Sequence, residues 1–242
     1  MTGHGHMKIA IHQPEFMPWL GFFNKMALAD QFVVFDHVQF KKRYFENRNR
    51  IVSAKKEVSY IIAPVISKGR YIQSIMDTEI DNTQNWKEVL LKKIRYFYSK
   101  ARYFDKYYDS LYAMLNGKEY SRLMGLNMDI INFFRENLGI ATPMVFSSQM
   151  NVQAYKGSDL ILQICLLNKA GVYLCGASGR DYLKENDFSQ RGIRIEWLDY
   201  KSPEYSQLAD GFTANMSTLD LLFNHGEDSL NILMNLPQKK EC

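Results

Sequence analysis

The amino-acid sequence predicts an α/β fold, with a mostly parallel sheet, helices on both faces and a helical insert. Short apolar runs rich in β-branched residues recur along the chain, and segments with apolar residues at helical spacing separate them. Nearly continuous apolar strands are typical of a parallel sheet that is buried on both faces. A block of aromatic-rich helical spacing, at about 84–138, interrupts this alternation and predicts the insert.

The first elements predict a strand-helix-strand unit. Residues 8–12 and 32–36 are short apolar runs, and residues 20–29 between them carry apolar side chains at helical spacing. Residues 58–65 predict a third buried strand. Pro64 marks its end, because proline cannot donate to a strand ladder.

The rest of the chain predicts three helices and then a return to the strand pattern. The helices lie between Trp86 and Leu138, and Gly139 ends the last of them with a left-handed cap. Ser217 and Asp220 resemble a capping box, with Asp in the place of Glu, at the start of a final helix that Gly226 stops. The other predicted elements are strands at 144–146, 172–175 and 193–198 and a helix at 157–170.

At 242 residues the chain has the length of one domain, predicted over residues 8–236, and its hydrophobic content of 46% is enough to bury a core without disulfides or metals. The three cysteines have no CxxC spacing, and no apolar run approaches the roughly 20 residues that span a bilayer. We therefore expect a cytoplasmic protein without a membrane span. Residues 1–7 are expected to be a tag or a flexible N-terminus, because they lack the apolar stretch of a signal peptide.

The first candidate site is the stretch HQPEFMPWLG, where the first strand ends and the first helix begins. Ligands of parallel sheets collect at the carboxyl ends of strands, and the N-terminus of a following helix offers free N–H groups to a phosphate. His12 is the candidate catalytic group, and Gln13, Glu15 and Trp19 are candidate substrate contacts. In the alternative interpretation, His12 is a buried structural histidine and the Pro-Trp pair plugs the start of the helix.

A second polar group, consisting of Asp36, His37 and Gln39, follows the second strand. If the first two strands are neighbours, Asp36 lies near His12, and a carboxylate beside an imidazole fixes its tautomer and raises its pKa. Asp36 is therefore a second candidate catalytic residue, and His37 and Gln39 are candidate substrate contacts. The alternative is that Asp36 is a turn residue and that His37 is exposed.

The segment NRNRI supplies a third group. In an extended backbone Arg48 and Arg50 share one face, and Asn47, Asn49 and Ile51 share the other. The four polar residues are candidate substrate contacts, because paired guanidinium groups bind phosphate or carboxylate. A surface strip of ion pairs is the alternative. Nucleic-acid binding would need a broader basic face than a net charge of +4 provides.

The fourth group follows a later strand and consists of Gly176, Ser178, Gly179 and Arg180. The glycines let backbone N–H groups approach a ligand, and Arg180 is a candidate anion contact. A plain strand-to-helix turn is the alternative, since the segment lacks the Lys and Ser/Thr of a P-loop and the third glycine of a dinucleotide motif. The scattered histidines predict no metal site, and no GxSxG elbow predicts a nucleophilic triad.

These motifs resemble a bacterial family, the WbqC-like proteins. The resemblance extends from residue 8 to about residue 226 and rests on HQPEFMPWLGFFNKMALADQFVVFDHVQF, NRNRI, the LGI turn, YLCGASGRDYL and MSTLDLLFNHG. The resemblance implies that the protein is encoded among genes for surface polysaccharide, lipopolysaccharide and O-antigen assembly. The first stretch is also similar to the His-x-Gly-His pattern of nucleotidylyltransferases and pantothenate synthetase, which implies a Rossmann-like, nucleotidylyltransferase-like sheet. Here PWLG replaces the second histidine, and this departure weakens the case for ATP-dependent nucleotidylyl transfer.

Together, the residues and the resemblance predict a transferase of surface polysaccharide biosynthesis that joins an acyl or aminoacyl group to an amino sugar or sugar nucleotide. His12 acts as general base or charge stabiliser, and Asp36 orients it. No cofactor follows from the sequence, with ATP or an activated acyl donor as the candidates, and the expected partner is a small anionic or sugar-nucleotide substrate. The alternatives are a non-catalytic nucleotide-sugar-binding or scaffold protein of polysaccharide assembly, and ATP-dependent nucleotidylyl transfer.

Overall fold

The computed structural model describes residues 6–236, which form two compact units. The first, here called the sheet unit, comprises residues 6–13, 24–37 and 141–201. The second, the hairpin-helix unit, comprises residues 14–23, 38–140 and 202–236. Of the expected tag or flexible terminus, residues 1–5 lie outside the described residues.

Seven strands lie within residues 6–236. They are β1 (Lys8–His12), β2 (Gln31–Val34), β3 (Arg48–Val52), β4 (Val58–Ile62), β5 (Met144–Phe146), β6 (Val172–Gly176) and β7 (Arg194–Leu198). Five of them build the sheet of the sheet unit, in the order β5-β2-β1-β6-β7, and every neighbouring pair is parallel. The predicted α/β fold with a parallel, Rossmann-like sheet is therefore confirmed.

Eight α-helices accompany the strands in the described part of the chain. They are α1 (Leu20–Ala27), α2 (Trp86–Tyr98), α3 (Phe104–Asn116), α4 (Leu123–Leu138), α5 (Gly157–Leu167), α6 (Glu185–Gln190), α7 (Thr218–His225) and α8 (Ser229–Leu233). The three helices predicted between Trp86 and Leu138 are α2 to α4, and Gly139 caps α4 with a φ of 72°. The boundary between the units falls within α1, while α5 and α6 belong to the sheet unit.

The centre of the parallel sheet is apolar on both faces. In β1, Ile9 and Ala10 are fully buried, and in β2, Phe32 and Val33 are fully buried. Consecutive side chains of a strand point to opposite faces, so the burial of neighbours means that both faces are covered. This explains why the two strands were recognisable as continuous apolar runs.

The prediction of a third strand of the main sheet at 58–65 is wrong. β4 pairs antiparallel with β3 in a separate two-stranded sheet of the hairpin-helix unit. Val58, Tyr60 and Ile62 of β4 are 47%, 43% and 49% exposed. A short apolar run fits a buried parallel strand and one face of a hairpin equally well, and its partner β3 has no apolar run to identify it.

The final long helix begins as predicted, but with half of the expected cap. The hydroxyl of Ser217 accepts a hydrogen bond from the N–H of Leu219 at 3.3 Å. The carboxyl of Asp220 does not complete a capping box, because it accepts hydrogen bonds from the Tyr205 hydroxyl at 2.8 Å and the Gln207 amide at 2.7 Å. The carboxyl of Asp220 therefore binds the segment that precedes the helix.

Candidate functional site

The carboxyl ends of the parallel strands form one edge of the sheet unit. The chain runs outward from β1 through β2 to β5, and then returns to the other side of β1 to form β6 and β7. The strand order therefore reverses between β1 and β6, and in open α/β sheets ligands bind in the crevice at such a switch point. His12 ends β1 and Gly176 ends β6, so these two residues flank the switch point.

His12 presents a neutral imidazole at this edge. Its Nδ1 lies 3.0 Å from the carbonyl oxygen of Gln13, and because a carbonyl only accepts, Nδ1 carries the proton and Nε2 is the basic nitrogen. Burial lowers the pKa of His12 to about 3, and the charge of Lys25 acts in the same direction, whereas the bond to Gln13 offsets part of this shift. At neutral pH His12 therefore accepts hydrogen bonds and carries no charge.

Lys25 is a candidate that the sequence analysis missed. Its ammonium group donates a hydrogen bond to the carbonyl oxygen of Ile11 at 2.8 Å, and the residue is only 7% exposed. Burial raises the pKa of the Cys175 thiol, and the charge of Lys25 opposes that rise, so this charge acts at the ends of both β1 and β6. A buried cation beside a switch point suits an anionic ligand. The available signal was a lysine in LGFFNKMA, an otherwise largely apolar helix.

The sequence predicted that Asp36 orients His12, but the carboxylate of Asp36 has other partners. It accepts hydrogen bonds from the hydroxyl of Ser147 at 3.0 Å and from the N–H and hydroxyl of Ser148 at 2.9 and 2.6 Å. Both serines directly follow β5, which pairs with β2. His37 joins the same group, since its Nδ1 lies 2.7 Å from the hydroxyl oxygen of Ser147. Asp36 therefore acts on the second histidine through a serine.

The segment after β6 does not present an unpaired arginine. Arg180 forms a two-point ion pair with the carboxylate of Asp199, with N–O distances of 2.7 and 2.9 Å. Its guanidinium also lies 4.9 Å from the ring centre of Trp197. The carboxylate neutralises the charge locally, whereas the sequence predicted that Arg180 contacts an anionic ligand. A sequence pattern could not reveal this, because Asp199 follows another strand, β7.

The small residues of the same segment have different surroundings. A Cβ on Gly179 would lie 2.2 Å from the sulfur of Cys175, so packing requires glycine there. A Cβ on Gly176 would meet nothing within 4 Å, which leaves open space beside the end of β6. Ser178 is exposed. Gly176 is thus the member of the predicted group that lies at the switch point.

The NRNRI segment contributes β3 to the hairpin-helix unit, and its asparagines bind the backbone. Asn47 donates to the carbonyl oxygen of Ala63 at 2.9 Å, and Asn49 donates to that of Met17 at 2.9 Å. Both asparagines are buried, as the predicted alternation of faces requires. Their amide groups therefore bind the backbone of the protein, whereas the sequence predicted that they contact the substrate.

The arginines of β3 are partly exposed and have other partners. Arg48 lies over the ring of Tyr60, 4.5 Å from its centre, and Arg50 donates to the carbonyl oxygen of Asn215 at 3.2 Å. Neither arginine pairs with a carboxylate within residues 6–236, so the alternative of an ion-pair strip does not hold. Their charges are not neutralised in the way that the charge of Arg180 is.

Three other predicted contacts also belong to the hairpin-helix unit. Glu15 is 5% exposed. Trp19 packs on the start of α1, since a Cβ on Gly21 would lie 2.3 Å from its ring. This matches the alternative in which the Pro-Trp pair plugs the helix start. Gln39 is exposed and donates to the carbonyl oxygen of Tyr71 at 2.8 Å.

The described part of the chain contains no group of three or more His, Cys, Asp or Glu side chains placed to hold a metal ion. Within residues 6–236, every helix is too short or too polar to cross a membrane.

Comparison with known proteins identifies the family. The model of the WbqC-like protein family matches residues 13–232. The chain is also similar to Rv1507c, an uncharacterized protein of Mycobacterium tuberculosis, with 34% identity over 227 residues that cover 93% of this chain and 97% of that protein. No solved structure matches the chain significantly. Because the family model and this relative both extend over almost the whole sequence, the protein belongs to the WbqC-like family.

Proposed function

We propose that the protein is a transferase of surface polysaccharide biosynthesis, which joins an acyl or aminoacyl group to an amino sugar or its nucleotide derivative. The observation that carries the proposal is the neutral imidazole of His12 beside the buried ammonium of Lys25 at the switch point of the sheet unit. The biosynthetic context is what the resemblance to WbqC-like proteins implies, and membership of that family supports it. We place the reaction in the cytoplasm, because activated donors and nucleotide sugars are cytoplasmic substrates.

The two side chains have distinct roles in this proposal. The charge of Lys25 holds a phosphate of the substrate or stabilises the oxyanion that forms when an amine attacks an acyl carbonyl. His12 accepts a hydrogen bond from the amine and so orients its lone pair towards the carbonyl carbon. This role differs from the predicted general base, because burial and Lys25 both oppose protonation of the ring. The open space beside Gly176 leaves room for the ligand.

The test is to incubate the protein with amino-sugar nucleotides, activated acyl donors and ATP, and to read out products by mass spectrometry. We expect a product that has gained the mass of the acyl group, and we expect His12→Ala to lower turnover by about 100-fold, as misplacement of a reacting group does. The melting temperature of this variant should change little. Absence of product from every combination, while a known transferase gives product in the same assay, would contradict the transferase.

Binding of a nucleotide sugar without catalysis is the second candidate function. The low pKa of His12 favours it, because an imidazole that resists protonation is a weak proton acceptor. Saturable binding without any product would select this function. Release of pyrophosphate from ATP in the same assay would instead select nucleotidylyl transfer.

A further inference from the structure

Asp36, Ser147 and His37 form a hydrogen-bonded chain at the ends of β2 and β5 in the sheet unit. Asp36 is 3% exposed and Ser147 is fully buried, whereas His37 is partly exposed. The chain therefore has one end in the interior and one end that a ligand can reach. The N–H of Phe35 donates to the carbonyl oxygen of His12 at 2.8 Å, so the backbone that leads to His37 starts beside His12.

The donors and acceptors of this chain determine the tautomer of His37. The hydroxyl oxygen of Ser147 lies 3.0 Å from Oδ1 of Asp36 and 2.7 Å from Nδ1 of His37. A carboxylate only accepts, so the single hydroxyl proton points to Asp36. The serine oxygen must then accept from the imidazole, and Nδ1 of His37 carries the proton. The reverse arrangement would leave two lone pairs facing each other between Ser147 and Asp36.

Nε2 of His37 consequently carries the lone pair, and within residues 6–236 it has no hydrogen-bond partner. When Nε2 takes up a proton, the positive charge on the ring is stabilised through Ser147 by the carboxylate of Asp36. Burial lowers the pKa of His37, and Asp36 opposes this shift. The oxygens of Asp36 bind Ser147 and Ser148, so this carboxylate acts on His37 and not on His12.

We infer that His37 is the catalytic base of the sheet unit and that Asp36 and Ser147 are positioning residues that hold its tautomer. This inference rests on the proposed function. As the amine nitrogen forms its bond to the acyl carbon, its proton moves to Nε2 of His37. The bond between the acyl carbon and the leaving group then breaks, the electron pair stays with the leaving group, and His37 returns the proton to it.

Nitrogen-15 NMR of the histidine-labelled protein tests the hydrogen-bonded chain of Asp36, Ser147 and His37, here called the relay, without any substrate. We expect the pattern of an Nδ1–H tautomer for His37 in the wild type and a mixture of tautomers in Ser147→Ala. The matched control is Ser148→Ala, which removes another hydrogen bond to Asp36 but leaves the contact with His37 in place. A wild-type ring that carries its proton on Nε2, or a tautomer that Ser147→Ala leaves unchanged, would overturn the relay. Because no turnover is measured, this result is independent of the transferase.

Kinetics then test the role of His37 once a product has been found. We expect His37→Gln to lower kcat by about 100-fold with little change in KM, because a base acts on the chemical step. The wild-type rate should fall as the pH drops below the ordinary histidine range, since the base works in its neutral form. His37→Gln should lose this acidic limb, and Ser147→Ala should shift it. A wild-type rate in His37→Gln would exclude His37 as the base even if the transferase is correct.

Discussion

At the scale of single residues, two buried ionisable groups of this protein have very different hydrogen bonding. The ammonium of Lys25 in the sheet unit has the carbonyl oxygen of Ile11 as a partner. In the hairpin-helix unit, Glu46 is 1% exposed and neither of its carboxyl oxygens makes a hydrogen bond. Burial raises the pKa of Glu46 to about 7, while the backbone N–H groups of Glu46 and Lys41 lie near enough to offset part of the rise.

We therefore expect Glu46→Gln to stabilise the protein in a pH-dependent way. The pKa of Glu46 rises from 4.5 to about 7 on folding, so between these values the folded state holds a proton that the unfolded chain has lost. Wild-type stability must then decrease as the pH rises through this window. Glutamine keeps the size of the side chain and removes the titration. Urea unfolding should show a gain of about 1 to 3 kcal/mol at about pH 8 and a much smaller one at about pH 5.

The exposed Glu136, on α4 of the same unit, supplies the control. Glu136→Gln should change the free energy of unfolding by less than about 0.5 kcal/mol at either pH. A gain in Glu46→Gln that is equal at both pH values would mean that the carboxyl is already ionised in the folded protein.

At the scale of elements, buried asparagines hold the loop that precedes α1. Asn49 on β3 donates to the carbonyl oxygen of Met17, and Asn127 on α4 donates to those of Pro14 and Glu46 at 3.1 and 2.8 Å. The loop needs this support because Met17 has a φ of 47°, a left-handed conformation that costs a residue other than glycine about 1 kcal/mol or more. The polar residues of NRNRI thus divide into structural asparagines and partly exposed arginines.

This division predicts losses of stability of different size for two neighbouring substitutions in β3. Asn49→Ala strands the carbonyl oxygens that its amide binds, so the free energy of unfolding should fall by about 1 to 3 kcal/mol. Arg48→Ala removes a partly exposed contact with Tyr60 and should cost less than about 1 kcal/mol. Chemical denaturation of the two variants measures the difference. Equal losses would show that the arginine, and not only the asparagine, supports the fold.

The elements that the sequence predicted well are those whose own residues carry the signal. β1 and β5 have the predicted bounds, because each is a short, mostly apolar run that polar residues follow. The sequence could not predict the relay, because Ser147 lies 111 positions from Asp36 along the chain and a serine after a strand has no distinguishing pattern. Lys25 was overlooked for a related reason. Helical periodicity describes which face is buried, and it does not show that a buried lysine lies next to the end of a strand.

At the scale of the whole molecule, the net charge of +4 says less about ligand binding than the partners of individual cations do. Arg180 is exposed but already paired with Asp199, so it has little charge to offer an anion. Lys25 is buried beside the switch point, and its charge acts at the ends of both β1 and β6. We therefore expect a nucleotide to depend on Lys25 rather than on Arg180.

A thermal-shift experiment with uridine diphosphate and thymidine diphosphate makes this expectation measurable on the intact chain. A ligand that binds only the folded state adds about 2.7 kcal/mol of stability at a concentration 100 times its Kd. Wild type and Arg180→Ala should both show a rise in Tm that weakens with added salt, because the contact is electrostatic. Lys25→Met removes the charge and keeps most of the length of the side chain, so its Tm without ligand reports any loss of packing, and the rise on adding nucleotide should disappear. If Lys25→Met keeps the full rise while Arg180→Ala loses it, the nucleotide binds at the end of β6 by breaking the pair with Asp199, and Lys25 is not its anchor.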